Sequence, residues 1–236
     1  MRLTREQMRA DRAERRRRFG VLMVAIIAAF LVQGVAQPGR WEQVVVAALL
    51  GVTLVLSMSV AQARPAVVRA ATAVAVALVI VSVLDAALGQ GTGLATRLSN
   101  LLLLILAPPA ILVGILRTLR ARNKVTIEAV FGVLCLYLLL GMFFAGLYAT
   151  IGRIDGTFFA QSAGPTTARY LYFSFVTLTT VGYGDLTAKS NLGHTLSVSE
   201  ALIGQIYLVT VVSLIVANLG RSRSSIEEPQ RSGSAS

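Results

Sequence analysis

The stretch Thr180-Val181-Gly182-Tyr183-Gly184-Asp185 decides how the rest of this 236-residue chain is read. Glycine accepts a positive φ without a Cβ clash, so Gly182 and Gly184 let the backbone alternate between left- and right-handed conformations. In that alternation the carbonyls of Thr180, Val181, Gly182 and Tyr183 turn toward one axis, and the Thr180 hydroxyl adds an oxygen at one end. Stacked rings of oxygen can replace the hydration shell that a cation loses on entering a narrow pore. The Tyr183 side chain is expected to turn outward and brace the segment, with Tyr172 and Phe173 as its packing partners. Val176 and Thr179 are expected to support it from the preceding segment, and Asp185 would sit at the outer mouth of such a pore.

The composition around this stretch is that of an integral membrane protein. Hydrophobic residues make up 55% of the chain and charged residues 14%, against roughly 25% charged in soluble domains. The formal charge of +11 does not indicate nucleic acid, because the basic residues stand at the ends of apolar runs instead of forming one aromatic-interleaved surface. Cys135 is the single cysteine, which excludes an intrachain disulfide and a cysteine-based metal cluster. Val35-Ala36-Gln37-Pro38 is a poor cleavage site, so the first apolar run is expected to stay in the mature chain.

A helix crosses the hydrocarbon in about 20 mostly apolar residues. Six stretches qualify: residues 19–37, 44–61, 67–88, 98–116, 125–151 and 195–219. In the second, Ser57 and Ser59 can bond back to helix carbonyls. Lys and Arg collect on the cytoplasmic side of membrane proteins. With six crossings, 17 of the 22 basic residues fall on one side, including the run Arg15 to Arg18 and the group Arg117, Arg120, Arg122 and Lys124. Both termini are therefore expected in the cytoplasm of a multi-pass protein of the plasma membrane. Tyr148, near the outer end of the fifth span, suits either the interfacial aromatic belt or ordinary packing. Between the fifth and sixth spans, residues 152–167 form a polar loop and 168–179 an apolar segment too short to cross. Such a re-entrant helix is tolerated where protein or a water-filled path surrounds it.

Residues 172–185, Tyr-Phe-Ser-Phe-Val-Thr-Leu-Thr-Thr-Val-Gly-Tyr-Gly-Asp, resemble the pore signature of the potassium-channel superfamily, and the arrangement is similar to that of a prokaryotic six-transmembrane channel. The resemblance covers residues 125–219 well and the first four spans only as an arrangement. It implies an all-α membrane protein: six transmembrane helices, a re-entrant pore helix and a selectivity-filter loop. It further implies passive potassium conduction, with potassium held at Thr180, Val181, Gly182 and Tyr183, no cofactor beyond the permeant ions, and no enzyme activity. One chain carries one filter, so the resemblance implies a homotetramer with closed cyclic symmetry. Some superfamily members carry a carboxylate four positions before the filter threonine; here that position is Val176, so any restraint on Asp185 must come from elsewhere. Gly204 matches the glycine at which the inner helix bends in many members, and it serves either as a gating hinge or for close packing. Glu200, an acid inside the last span, is expected either to accept hydrogen bonds from pore-helix hydroxyls such as Thr177 or Thr179 or to sense pH or ions. A potassium transporter subunit and a non-conducting assembly protein with a channel-like pore are the competing readings.

The expected domains are a cytoplasmic Arg-rich segment at 1–18, a four-helix membrane domain at 19–124, a pore domain at 125–220 and a disordered tail at 221–236. The Arg-rich segment either only fixes the orientation of the chain or lies along an anionic inner leaflet, where each basic residue contributes about 1 kcal/mol. Voltage sensing is not expected of the fourth span, since residues 98–116 hold no charge and Pro108-Pro109 interrupts the helix. Moving one charge through the field yields about 2.3 kcal/mol per 100 mV, and Arg117 and Arg120 begin only at the cytoplasmic end of that span. Neutralising Arg117 and Arg120 to Gln should leave the slope of open probability against voltage unchanged in single-channel recordings. A loss of steep voltage dependence would make this span a sensor.

Overall fold

The computed structural model describes residues 5–35, 40–60, 64–88, 101–103, 105–106, 127–162 and 164–227. Six helices carry it: α1 (Arg5–Val35), α2 (Arg40–Val60), α3 (Pro65–Ala87), α4 (Ile127–Ile154), α5 (Thr167–Leu178) and α6 (Asn191–Glu227). Among the described residues, two helical stretches are long and apolar enough to cross a membrane, Pro65–Ala87 and Val130–Ile154. The apolar parts of α1 and α2, Gly20–Val35 and Val44–Met58, are shorter. Most of the fourth expected span lies outside the described residues; of it, Leu103 is buried in the core.

The first helix buries Leu22, Ile26, Ala29 and Gln33 and exposes Val21, Val24, Leu31 and Val35. The buried set recurs every three to four residues, which puts it on one helical face. An apolar residue on the opposite face is ordinary where the surroundings are lipid. That buried face meets α2, α4 and α5. Phe30 packs edge-on against Phe175 of α5, with centroids 5.1 Å apart.

α2 and α3 pack closely because small residues line the seam. α3 buries Ala71, Ala75, Ser82 and Ala86, and a methyl built on Gly51 would stand 3.4 Å from the Ala75 Cβ. Between lipid-exposed helices there is little hydrophobic drive to associate, so close backbone approach supplies the dispersion contact. Two polar side chains of α2 are satisfied locally: Thr53 donates to the Leu49 carbonyl at 2.9 Å and Ser57 to the Thr53 carbonyl at 2.6 Å.

Two helix ends differ from the expected boundaries. The Arg-rich segment from Arg5 onward is continuous with the first span in a single helix. At the other end, α6 runs on through Arg221–Glu227, where a disordered tail was expected. Extending an existing helix adds one bond per residue without a new nucleus, and no proline intervenes before Pro229.

The short helix α5 is held at both ends. Its first turn is capped by Thr166, whose hydroxyl accepts from the Arg169 amide at 3.3 Å. Behind it, Tyr148, Phe158, Phe159, Tyr170 and Phe173 form an aromatic cluster with centroid separations from 4.8 to 6.0 Å. After α5 the chain turns at Thr179 and Thr180 and returns to a bridge between Phe159 and Ala188. That bridge carries Ala160 N–H to the Thr187 carbonyl at 3.0 Å and Lys189 N–H to the Phe158 carbonyl at 2.8 Å.

Candidate functional site

The segment after α5 has positive φ at alternate residues: Thr180 (57°), Gly182 (57°) and Gly184 (80°). Thr180 is the notable member, because a β-branched residue with a left-handed backbone is strained. The turn into it is held by α5. Thr180 N–H reaches the Thr177 carbonyl at 2.9 Å, and the Val176 carbonyl accepts from both Val181 N–H at 3.0 Å and Gly182 N–H at 3.3 Å. The Val176 side chain holds no charge here, but its carbonyl anchors the start of the segment. Thr179 caps α5, its hydroxyl donating to the Phe175 carbonyl at 2.6 Å.

Tyr172 and Phe173 do different work from one another. The Tyr172 ring stacks on Tyr183, with centroids 6.4 Å apart and planes 5° from parallel, and its hydroxyl interacts with the Asp185 carboxylate. Phe173, expected beside Tyr183, is buried in the aromatic cluster, 5.3 Å from the Tyr148 ring. Adjacent helical residues point about 100° apart, so the two cannot brace the same ring.

Glu200 is fully buried, and its partners are not the threonines expected from sequence. Ser174 donates to Oε1 at 2.5 Å and Tyr148 to Oε2 at 2.6 Å. The Ser174 oxygen also lies 2.7 Å from the Gly141 carbonyl. One carboxylate thus joins α4, α5 and α6. The correction follows from register. Glu200 meets Ser174 and Gly204 meets Leu178, so α5 and α6 pack side by side in one phase over a full turn. Thr177 and Thr179 lie outside that phase. Tyr148 is accordingly a packing and hydrogen-bonding residue, not an interfacial one.

Gly204 packs against the end of α5. A methyl there would overlap the Leu178 carbonyl and stand 2.9 Å from its Cδ1, and α6 runs unbroken through this position. Two residues were not anticipated from sequence. Gln205 donates to the Thr180 hydroxyl at 2.8 Å, and Tyr207 donates to the Val133 carbonyl at 2.5 Å while its ring lies 5.5 Å from Tyr137. The available signal was polarity within an apolar span, which marks a residue for attention. Among the described residues no cluster of three or more His, Cys, Asp or Glu side chains could hold a metal ion.

The chain thus sets a short helix, clasped between two long helices, against a row of alternating backbone. Residues 132–221 match the family described as "Ion channel". A stretch of 45 residues is 49% identical to "Probable potassium channel protein 2" of Methanocaldococcus jannaschii, covering 19% of this chain and 13% of that relative. No solved structure matches the chain. Over residues 132–221 the chain is thus similar to ion channels, and its 45-residue match is to a probable potassium channel.

Ser174→Ala should lower stability by about 1–3 kcal/mol, the cost of leaving a buried polar group short of a partner. Thr177→Ala should cost less. Thermal unfolding of the detergent-solubilised protein compares them, and equal losses would contradict the Glu200 assignment.

Proposed function

We propose that this chain is one subunit of a homotetrameric channel that conducts potassium selectively and passively across the plasma membrane. The observation that carries the reading is the alternation of positive φ at Thr180, Gly182 and Gly184. Such a backbone can turn the carbonyls of Thr180, Val181, Gly182 and Tyr183 toward a common axis, where four copies would surround a dehydrated potassium ion with oxygen. The C-terminal end of α5 carries about half a negative charge and would favour a cation in the cavity below. The potassium-channel name of the Methanocaldococcus jannaschii relative supports the choice of ion.

Exposed apolar surfaces support assembly around an axis. Val198, Leu202, Ile206 and Val209 form an exposed stripe along α6. A groove of about 420 Å³ opens beside Phe30, Leu171, Phe175, Val181 and Tyr183. In the tetramer, copies of the chain would cover such surfaces. On this reading residues 125–220 are the pore domain, and residues 19–124 are a membrane domain without a voltage sensor.

Purified protein in potassium-loaded liposomes tests the assignment through Gly182→Ala. The added Cβ falls where φ is +57°, a conformation that side chains other than glycine's disfavour. Wild-type liposomes should show fast electrogenic potassium flux unaffected by a proton or sodium gradient, and the variant should lose flux or selectivity while assembling normally. Unchanged selectivity in the variant would contradict the filter assignment. Strict coupling to either gradient would instead mean a transporter.

A further inference from the structure

We propose that Gln205 sets how tightly the inner end of the oxygen row holds a cation, by occupying one lone pair of the Thr180 hydroxyl. The inference rests on the channel reading above and adds to it a residue that governs ion affinity. Its basis is the 2.8 Å hydrogen bond from Gln205 Nε2 to Thr180 Oγ1.

Gln205 is placed there by its neighbours on α6. Gly204 brings the helix against the Leu178 carbonyl at the end of α5, an approach no larger residue permits. Three residues on, Tyr207 fastens the same turn to α4 through the Val133 carbonyl. Between these two anchors the side chain of Gln205 reaches the first residue of the oxygen row. Both Gln205 and Thr180 are exposed in the single chain, on the side where the row begins.

A threonine hydroxyl offers one donor and two acceptor positions. With an amide N–H on one acceptor position, a single lone pair is left for a cation. The amide hydrogen also carries partial positive charge, and it lies beside the place a cation would take. Both effects weaken cation binding at this ring. A conducting site must be weak enough to release its ion, so removing the amide should tighten the site and slow ion exit.

Barium is a suitable probe, because it is close to potassium in size and carries twice the charge. The experiment uses the full-length protein in planar bilayers, with barium added on the cytoplasmic side. Gln205→Leu should lower the half-blocking barium concentration about three- to tenfold, the scale of one neutral hydrogen bond, and should reduce single-channel potassium conductance. Gln205→Asn, too short to reach Thr180, should behave like the leucine variant, which separates the hydrogen bond from general polarity of the cavity. In a Thr180→Ala background the effect of Gln205→Leu should vanish, whereas Thr180→Ser should retain it. A shift under twofold in both Gln205 variants, or an equal shift with and without the Thr180 hydroxyl, would overturn the inference.

If the wild-type protein carries no potassium current, the channel reading fails. Gln205 is then tested by barium titration calorimetry on the purified protein. Tighter binding in Gln205→Leu than in wild type supports the inference, and equal affinity overturns it.

Discussion

A carboxylate buried among apolar helices is costly unless it is hydrogen-bonded, and Glu200 meets that requirement with hydroxyls from two different helices. Ser174 and Tyr148 occupy its two oxygens, at 2.5 and 2.6 Å. Because the bonds converge from α5 and α4 onto α6, they set the rotation and height of the short helix against its long neighbours. Everything downstream of α5 inherits that placement. The Val176 and Thr177 carbonyls can hold the amides of Thr180, Val181 and Gly182 only if the end of α5 is fixed. The strained φ of +57° at Thr180 is tolerated for the same reason.

Above and below this clasp, other contacts fix the ends of the segment. Toward the C-terminal end of the segment, Tyr172 stacks on Tyr183 and interacts with Asp185, while the bridge between Phe159 and Ala188 ties the returning chain to the loop after α4. Toward the N-terminal end of the segment, Gly204 admits the Leu178 carbonyl and Gln205 reaches Thr180. The first helix contributes as well, since Phe30 packs on Phe175 of α5. The first helix is therefore in direct contact with α4 and α5.

Much of this was legible in the chain itself. Residues 180–185 declare a backbone that needs left-handed conformations, because glycines occur at alternating positions. The apolar runs, the basic residues between them and the short apolar helix α5 follow from length and composition. What could not be read was rotational phase. Glu200 is visibly an acid in a span, but choosing Ser174 over Thr177 requires knowing which faces of α5 and α6 meet. The same holds for Phe173, which local sequence places beside Tyr172 and helix geometry turns away from it. Gln205 was overlooked because its partner is 25 residues away and the contact depends on the close approach at Gly204.

The central claim is that this backbone, held in place by the Glu200 clasp, selects potassium. Its most direct test is the reversal potential of the wild-type protein in a planar bilayer with potassium on one side and sodium on the other. The account predicts a reversal potential displaced far toward the potassium equilibrium potential. A current that reverses near zero under these conditions would contradict it.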